Sequence, residues 1–176
     1  MALTIEDGTG VAGADSWLDV AGITAYLAAH YTTAQMAAWT AGSSGDKEIW
    51  ARQAAQFLSA TFGHRFPGYR TNEDQGLPFP RTGAWDADGY AIEDDAIPQA
   101  ILDAQCELAL RAASGRLDAD VTTSLGNISS ESKSISGISK SVSYGPGGKP
   151  TEQEFPIVER ILGYLIGVGG GQIVRG

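Results

Sequence analysis

Cysteine is almost missing from this chain, and that scarcity is the first constraint. With Cys106 alone there is no partner for an intrachain disulfide, so a disulfide-stapled secreted scaffold is excluded and a buried, inert thiol is expected. Histidine is nearly as rare. His30 and His64 lie far apart, neither with a cysteine or carboxylate at metal-ligand spacing, which argues against a zinc site. No G-x-S-x-G elbow, Walker loop or C-x-x-C pair occurs, so no catalytic constellation is in view and a non-enzyme without cofactor or metal is expected. No apolar run approaches the ~20 residues of a membrane span, and the opening MALTIEDGTG is too acidic for a secretion signal; a soluble protein made in the cytoplasm, with no membrane partner, is the expectation. Positive charge is also in deficit. Twelve Lys and Arg face 21 Asp and Glu, a formal net charge of −9, and such a surface repels nucleic-acid phosphates and anionic lipid.

What the chain does contain fits one domain with appendages. Its 176 residues are 43% apolar, and its 23 glycines cluster most heavily after Tyr144. Residues 8–13 read GTGVAG, a literal G-x-G-x-x-G. A dinucleotide site also needs a buried strand before it and an acidic residue about 20 positions on, and neither is present; the segment 1–15 reads as a flexible N-terminal arm.

From residue 16 the pattern turns helical, forming a body expected over 16–126. A first helix begins at an Asp15 or Ser16 cap, with Val20, Ile23, Tyr26 and Leu27 on one face. A short helical piece follows over 33–39. Ser43 with Asp46 resembles a capping box for a helix over 46–62, whose inward face carries Trp50, Ala54, Phe57, Leu58 and Thr61 with Ile49 at the edge. The strongest helix runs from near Ala96 to Gly115. Asp94 and Asp95 suit its N-terminus, Pro98 its first turn, and Gly115 a left-handed C-cap. Ile97, Ile101, Ala104, Leu108 and Ala112 form one stripe, Leu102, Cys106, Leu110 and Ala113 a second, leaving Asp103, Glu107, Arg111 and Ser114 as the solvated strip.

Between these helices, residues 63–90 are too rich in proline and glycine for a helix or central strand, and form a long ordered loop. Its aromatics Phe66, Tyr69, Phe79, Trp85 and Tyr90 are placed to pin it down. Arg70 and Arg81 are placed to pair with carboxylates or carbonyls, and Phe79, Arg81 and Trp85 are the chosen anchors. The carboxylates Asp86, Asp88, Glu93, Asp94 and Asp95 read as a solvated acidic loop with helix caps rather than a divalent-ion site.

After the central helix, residues 117–126 are either a short helix or a loop. The second half of residues 127–144 then alternates with period two: Ile138, Val142 and Tyr144 share a side with Lys140, and residues 132–135 can run back through Ser136-Gly137 to give a hairpin over 127–145. With so many serines this ribbon needs a neighbour, either its own body or the same hairpin of another subunit; Ile135, Ile138, Val142 and Tyr144 are the candidate inter-subunit contacts. The remaining 146–176 read as a linker, a short helix opened by Pro156, and a flexible tail. That helix carries Ile157, Ile161, Leu162, Tyr164, Leu165 and Ile166, and between glycine-rich linkers it suits docking on another surface better than completing its own core. The expected fold is mainly α: a small helical bundle with a protruding β-hairpin and extended termini.

At GLPFPRTG, followed by DGY, AIPQA and DAQCELALRA, the sequence resembles a family of tailed-phage proteins. These are the head-tail connector proteins, also called head completion or adaptor proteins, carried as well under the label DnaT-like single-stranded DNA-binding protein. LTIEDGTGVAGADSW, AAQFLSATFG and the serine-rich ribbon extend the likeness over most of the chain, with residues 79–109 its most specific part. The resemblance implies a homo-oligomeric ring, of twelve subunits, beneath the portal protein in the virion neck. A C-terminal segment would reach into the portal, making Ile157, Ile161, Leu162, Tyr164, Leu165 and Ile166 portal-docking candidates, and the opposite face would receive the next neck or tail-terminator protein. DNA would pass through the lumen without specific binding, helped by about −108 of formal charge on twelve copies at −9 each. It implies no catalytic residues. Read literally, the DnaT-like label gives a rival: a single-strand binder stacking bases on Trp85, Phe79 or Tyr69, for which the acidic surroundings are unfavourable.

Overall fold

A polar side chain inside an apolar helix face sets the arrangement of the helical body. In the computed structural model, which describes residues 2–117, 128–133, 140–144 and 155–166, the central helix spans Gln99–Ala112 (α4) and buries Ile101, Gln105, Leu108 and Ala112 on one face. Before it come α1 (Val20–His30), α2 (Ala37–Ala41) and α3 (Ser44–Phe62), a 3₁₀ turn (Gly63–Arg65), and four two-residue strands: β1 (Tyr69–Arg70), β2 (Arg81–Thr82), β3 (Ala84–Trp85) and β4 (Ala91–Ile92). After it come the longer strands β5 (Ile128–Lys133) and β6 (Lys140–Tyr144), then α5 (Pro156–Ile166). The fold is mainly α. It divides into a unit ending at Leu117 and resuming at Phe155, and a second unit, Asp118–Glu154, that contains the β5–β6 ribbon.

Within the first unit α4 packs against α3, α5 and α1. The capping box at Ser43 is present: the Ser43 hydroxyl accepts from Asp46 N–H at 3.2 Å, and the Asp46 carboxylate accepts from Ser43 N–H at 3.0 Å. The Ser43 hydroxyl, which also donates to that carboxylate at 2.7 Å, and then the Ser43 N–H hold the carboxyl below its ordinary range. The buried face of α3 is rotated from the expected one. Ala51, Ala54, Ala55, Leu58 and Phe62 face inward, Thr61 is exposed, and Ile49 stands half in solvent. Small alanines let the α3 backbone approach α4, and the larger Trp50 and Phe57 pack at the margins, Trp50 on Trp39 and Phe57 edge-on to Phe155.

Helix ends differ from expectation for identifiable reasons. α1 starts at Val20 because Asp19, not Asp15 or Ser16, caps it by accepting from Gly22 N–H at 2.7 Å; Asp15 is drawn into a 2.6 Å ion pair with Arg52, and Ser16 is buried. The short helix forms over Ala37–Ala41, with turns before it. α4 begins three residues later than Ala96, with Pro98 as its N-cap residue in extended geometry, and neither Asp94 nor Asp95 caps it. Instead Asp94 accepts from Gly83 N–H at 3.3 Å and, through its carbonyl, from the Thr71 hydroxyl at 2.9 Å. Its C-cap is Ala113, and Gly115 is not left-handed.

Three regions depart further from expectation. Residues 2–15 are no free arm. Thr4 N–H donates to Asp15, Glu6 N–H to the Ser16 carbonyl and Gly76 N–H to the Val11 carbonyl, so the segment is tied back to the body and to the long loop. The GTGVAG turn closes on its own carboxylate: Gly8 and Gly10 N–H groups donate to Glu6 Oε1 at 3.0 and 2.9 Å, and Val11 N–H to Oε2 at 2.8 Å, burying Glu6 to 1% exposure. Gly8, at φ +99°, also lies so close to the Asp95 carbonyl that a Cβ there would collide with it. Glu107, assigned to the solvated strip, is 4% exposed. Tyr31 donates to both its oxygens at 2.6 Å, Tyr26 to Oε1 at 3.2 Å and Arg111 to Oε2 at 2.7 Å, which satisfies the charge that burial would otherwise penalise.

The last helix also behaves otherwise than as a tethered docking element. Val158, Leu162 and Leu165 are buried, Ile161 and Ile166 are half-buried, and α5 lies on α4 within the first unit. It completes the core: Val158, Leu162 and Leu165 join the same buried apolar cluster as Ile101, Cys106 and Leu108 of α4. Replacing Leu162 by Ala is expected to lower the unfolding free energy by about 2–5 kcal/mol in a urea titration. A variant as stable as the parent would show that α5 is peripheral.

Candidate functional site

The segment joining α3 to α4 carries the most exposed aromatic side chains among the described residues, together with Arg70 and Arg81, neither of which has a carboxylate within ion-pair distance. Two ribbons build it. β1 pairs antiparallel with β2, setting Tyr69 opposite Thr82 and Arg70 opposite Arg81; β3 pairs antiparallel with β4, setting Ala84 opposite Ile92 and Trp85 opposite Ala91. Underneath, Phe79 is fully buried edge-on to Phe66, ring centroids 5.3 Å apart, and its carbonyl accepts from the Trp17 indole N–H at 3.1 Å. The Gln75 amide, also buried, donates to the Leu77 and Pro80 carbonyls at 2.6 and 3.0 Å.

Arg81 ties this segment together. Its Nε donates to the Pro67 carbonyl at 2.6 Å, Nη2 to Gly68 at 2.6 Å and Nη1 to Pro78 at 3.2 Å, so one guanidinium holds both sides of the loop. Burial, and secondarily the Arg70 charge, hold it below the ordinary arginine range. Phe79 and Arg81 therefore sit where loop anchors should. Trp85 does not: it is 57% exposed, with Tyr69 at 81% and Tyr90 at 72%. Its strand is only two residues long and its side chain finds no pocket, so it belongs to the surface.

An open depression of about 430 Å³ lies beside β1–β2, lined by Ser59, Gly63, Tyr69, Arg70, Gly76, Leu77, Pro78 and Arg81. On the other ribbon, Asp86 accepts from the Asp88 and Tyr90 N–H groups at 2.9 Å each and from the Tyr164 hydroxyl, and Ala87 N–H donates to the Tyr164 carbonyl at 2.9 Å. The Tyr164 hydroxyl bond chiefly holds Asp86 below the usual carboxylate range, and the same bond raises Tyr164. Among the described residues, no three His, Cys, Asp or Glu side chains are grouped to hold a metal ion, so the acidic run 86–95 is spread along loop and turn.

The other candidates separate. Of the docking set on α5, Leu162 and Leu165 are buried, Ile161 and Ile166 half-buried, and only Ile157 and Tyr164 are substantially exposed. Of the hairpin set, Ile135 and Ile138 lie outside the described residues; Val142 pairs with Glu131 and Tyr144 with Ile128. The register runs to Lys133 opposite Lys140, and the expected Ser136-Gly137 turn lies outside the described residues. β5 begins at Ile128, earlier than the expected 132. His30 stacks on Tyr26 with ring centroids 4.1 Å apart, and His64 is exposed. Sequence reasoning missed Gln105 and the buried state of Glu107. The signal was there for the first, because position 105 falls midway along the stripe through Ile101, Leu108 and Ala112.

Residues 1–176 match the model of the family described as "Putative DnaT-like ssDNA binding protein", and the chain belongs to that family. No curated protein and no solved structure matches the chain. No described helix is long and apolar enough to cross a membrane.

The Glu107 cluster carries a pH signature. Burial, with the hydrogen bond to Glu107, pushes the Tyr31 hydroxyl up to about 12, against ~10 for an unfolded tyrosine. The neutral phenol is favoured in the fold, so this stabilisation is complete below about pH 10 and is lost as pH rises from about 10 to 12. Denaturation midpoints should fall across that window more steeply in the parent than in Tyr31→Phe. Parallel curves would remove Tyr31 as a support of Glu107.

Proposed function

We propose that the chain is a structural, non-catalytic neck protein of a tailed phage, a head-tail connector. It would form a homo-oligomeric ring against the portal, receive the next neck or tail-terminator protein on its other face, and let DNA pass through its lumen. The observation that carries this reading is the disposition of charge. The chain is −9 overall, and Arg52, Arg111 and Arg81 are turned inward onto Asp15, Glu107 and three loop carbonyls. Proteins that grip nucleic acid present such groups outward in number, since affinity follows the phosphates neutralised. The likeness of the GLPFPRTG to DAQCELALRA stretch to connector proteins supports the same reading.

A second reading, a single-stranded DNA-binding protein, is the one the family description fits more directly, and the exposed rings of Tyr69, Trp85 and Tyr90 favour it. Light scattering of the purified chain, alone and mixed with its portal, separates the two. A connector is expected to form a defined ring complex with the portal. No complex, together with oligonucleotide binding whose log K falls with log salt at a slope of roughly −3.5 or steeper, as five or more phosphates would give, would establish the second reading instead.

A further inference from the structure

We infer that the turn between β3 and β4 of one copy docks into the depression beside β1–β2 of a second copy, with Asp88 on Arg70 and the Tyr90 ring in the hollow. The contact rests on the homo-oligomeric reading above and gives it a junction. The projecting half is a rigid turn. Asp86 N–H donates to the Tyr90 carbonyl at 2.9 Å and Gly89 N–H to the Asp86 carbonyl at 3.1 Å, with Gly89 at φ +85°, while the Asp86 carboxylate takes the Asp88 and Tyr90 N–H groups. From this tip Asp88 is exposed and Tyr90 is 72% exposed. The hydrogen bond to Asp86 chiefly raises the Tyr164 hydroxyl, and Asp88 and Tyr90 add to it, so both tip side chains lie on the Tyr164 side of the turn. A carboxylate and a large ring already fixed in place lose little freedom on docking.

The receiving half has the complementary character. The depression, about 430 Å³, is walled by Gly63, Gly76, Leu77 and Pro78, low and largely apolar, and Arg70 stands in its lining. Arg70 is exposed and makes one long bond, 3.4 Å, to the Gln75 carbonyl. Arg52, Arg65 and Arg111 each have a carboxylate within ion-pair distance; among the described residues Arg70 has none, although Glu73 and Asp74 follow it closely in the chain. Asp88 likewise meets no cation there. One chain therefore carries both a fixed anion beside a ring and a free guanidinium beside an apolar hollow. It cannot join them within itself: two bonds to Tyr164 pin the turn to α5, and Asp88 makes no ion pair with its own Arg70. A second copy supplies both halves at once. Because two different patches meet, the contact is heterologous, the kind that builds rings. An exposed ion pair alone contributes little, so burial of the Tyr90 ring supplies most of the affinity and the charges set the pairing.

Sedimentation velocity of the full chain tests this. A contact this small is weak, and the mean mass of the parent is expected to rise between about 10 μM and 1 mM protein. Asp88→Arg and Arg70→Glu should each weaken association about tenfold or more, since like charges then meet, and Tyr90→Ala should do so through loss of the ring. An equal mixture of the Asp88→Arg and Arg70→Glu chains should restore parental association, because every junction in alternating copies again pairs opposite charges; the chain carrying both substitutions should do the same by itself. All three positions are exposed, and circular dichroism of each variant checks that the fold is kept. The proposal is overturned if the parent stays monomeric up to about 1 mM, if the single variants associate like the parent, or if the mixture associates no better than either variant alone. A portal ring that forms equally well from Arg70→Glu chains would keep the connector role and discard this contact. Rescue by the mixture without any portal complex would keep this contact and discard the connector role.

Discussion

One side-chain amide, that of Gln105, ties two distant pieces of chain, Ser16-Trp17 and Ala51, to α4. Its Oε1 accepts from Trp17 N–H at 3.1 Å, and its Nε2 donates to the Ser16 hydroxyl at 2.6 Å and the Ala51 carbonyl at 3.2 Å, all in a fully buried setting. Leaving any of these groups unpaired there would cost on the order of 1–3 kcal/mol each, so the bonds dictate geometry as much as stability. The order of dependence is physical. Gln105 places Trp17, the Trp17 indole takes the Phe79 carbonyl, Phe79 seats the loop, and the loop's carbonyls orient Arg81 opposite Arg70. The exposed end of the molecule is thus positioned by a polar contact at its centre.

Much of the helical body was legible in sequence because helices advertise themselves locally. The Ser43–Asp46 box, the apolar repeat of α4 and the period-two alternation of β6 depend on neighbours within a turn or two. What failed depended on partners far away in the chain. Glu107 reads as solvent-facing beside Asp103 and Arg111, and only the arrival of Tyr26 and Tyr31, some 80 residues earlier, makes its burial tolerable. The face of α3 was misplaced because bulky side chains were assumed to mark the interior. Alanines mark it here, where two backbones come close. Helix α5 looked unpartnered for the same reason: its partner, α4, is separated from it by more than 40 residues.

The loop between α3 and α4 shows the same division at the site itself. Arg81 was recognisable as an anchor because an arginine among prolines and glycines has many free carbonyls to satisfy. Trp85 was not recognisable as a surface residue, since an aromatic side chain reads as core until its surroundings are known. Exposed tyrosine and tryptophan on short ribbons, over an acidic loop, form a surface that can meet either a protein or a strand. The opposed arginines are the local exception to the acidic character of the chain.

The closure of GTGVAG on Glu6 carries a lesson about motif matching. A ring of backbone N–H groups is selective for an anion, not for a particular molecule, and here the anion is supplied by the neighbouring residue on the same chain. Being tethered, that carboxylate competes at an effective concentration on the order of millimolar or higher, before any free phosphate arrives. The glycine pattern therefore behaves as a receptor saturated by its own polypeptide. What it recognises is the fold of the first sixteen residues.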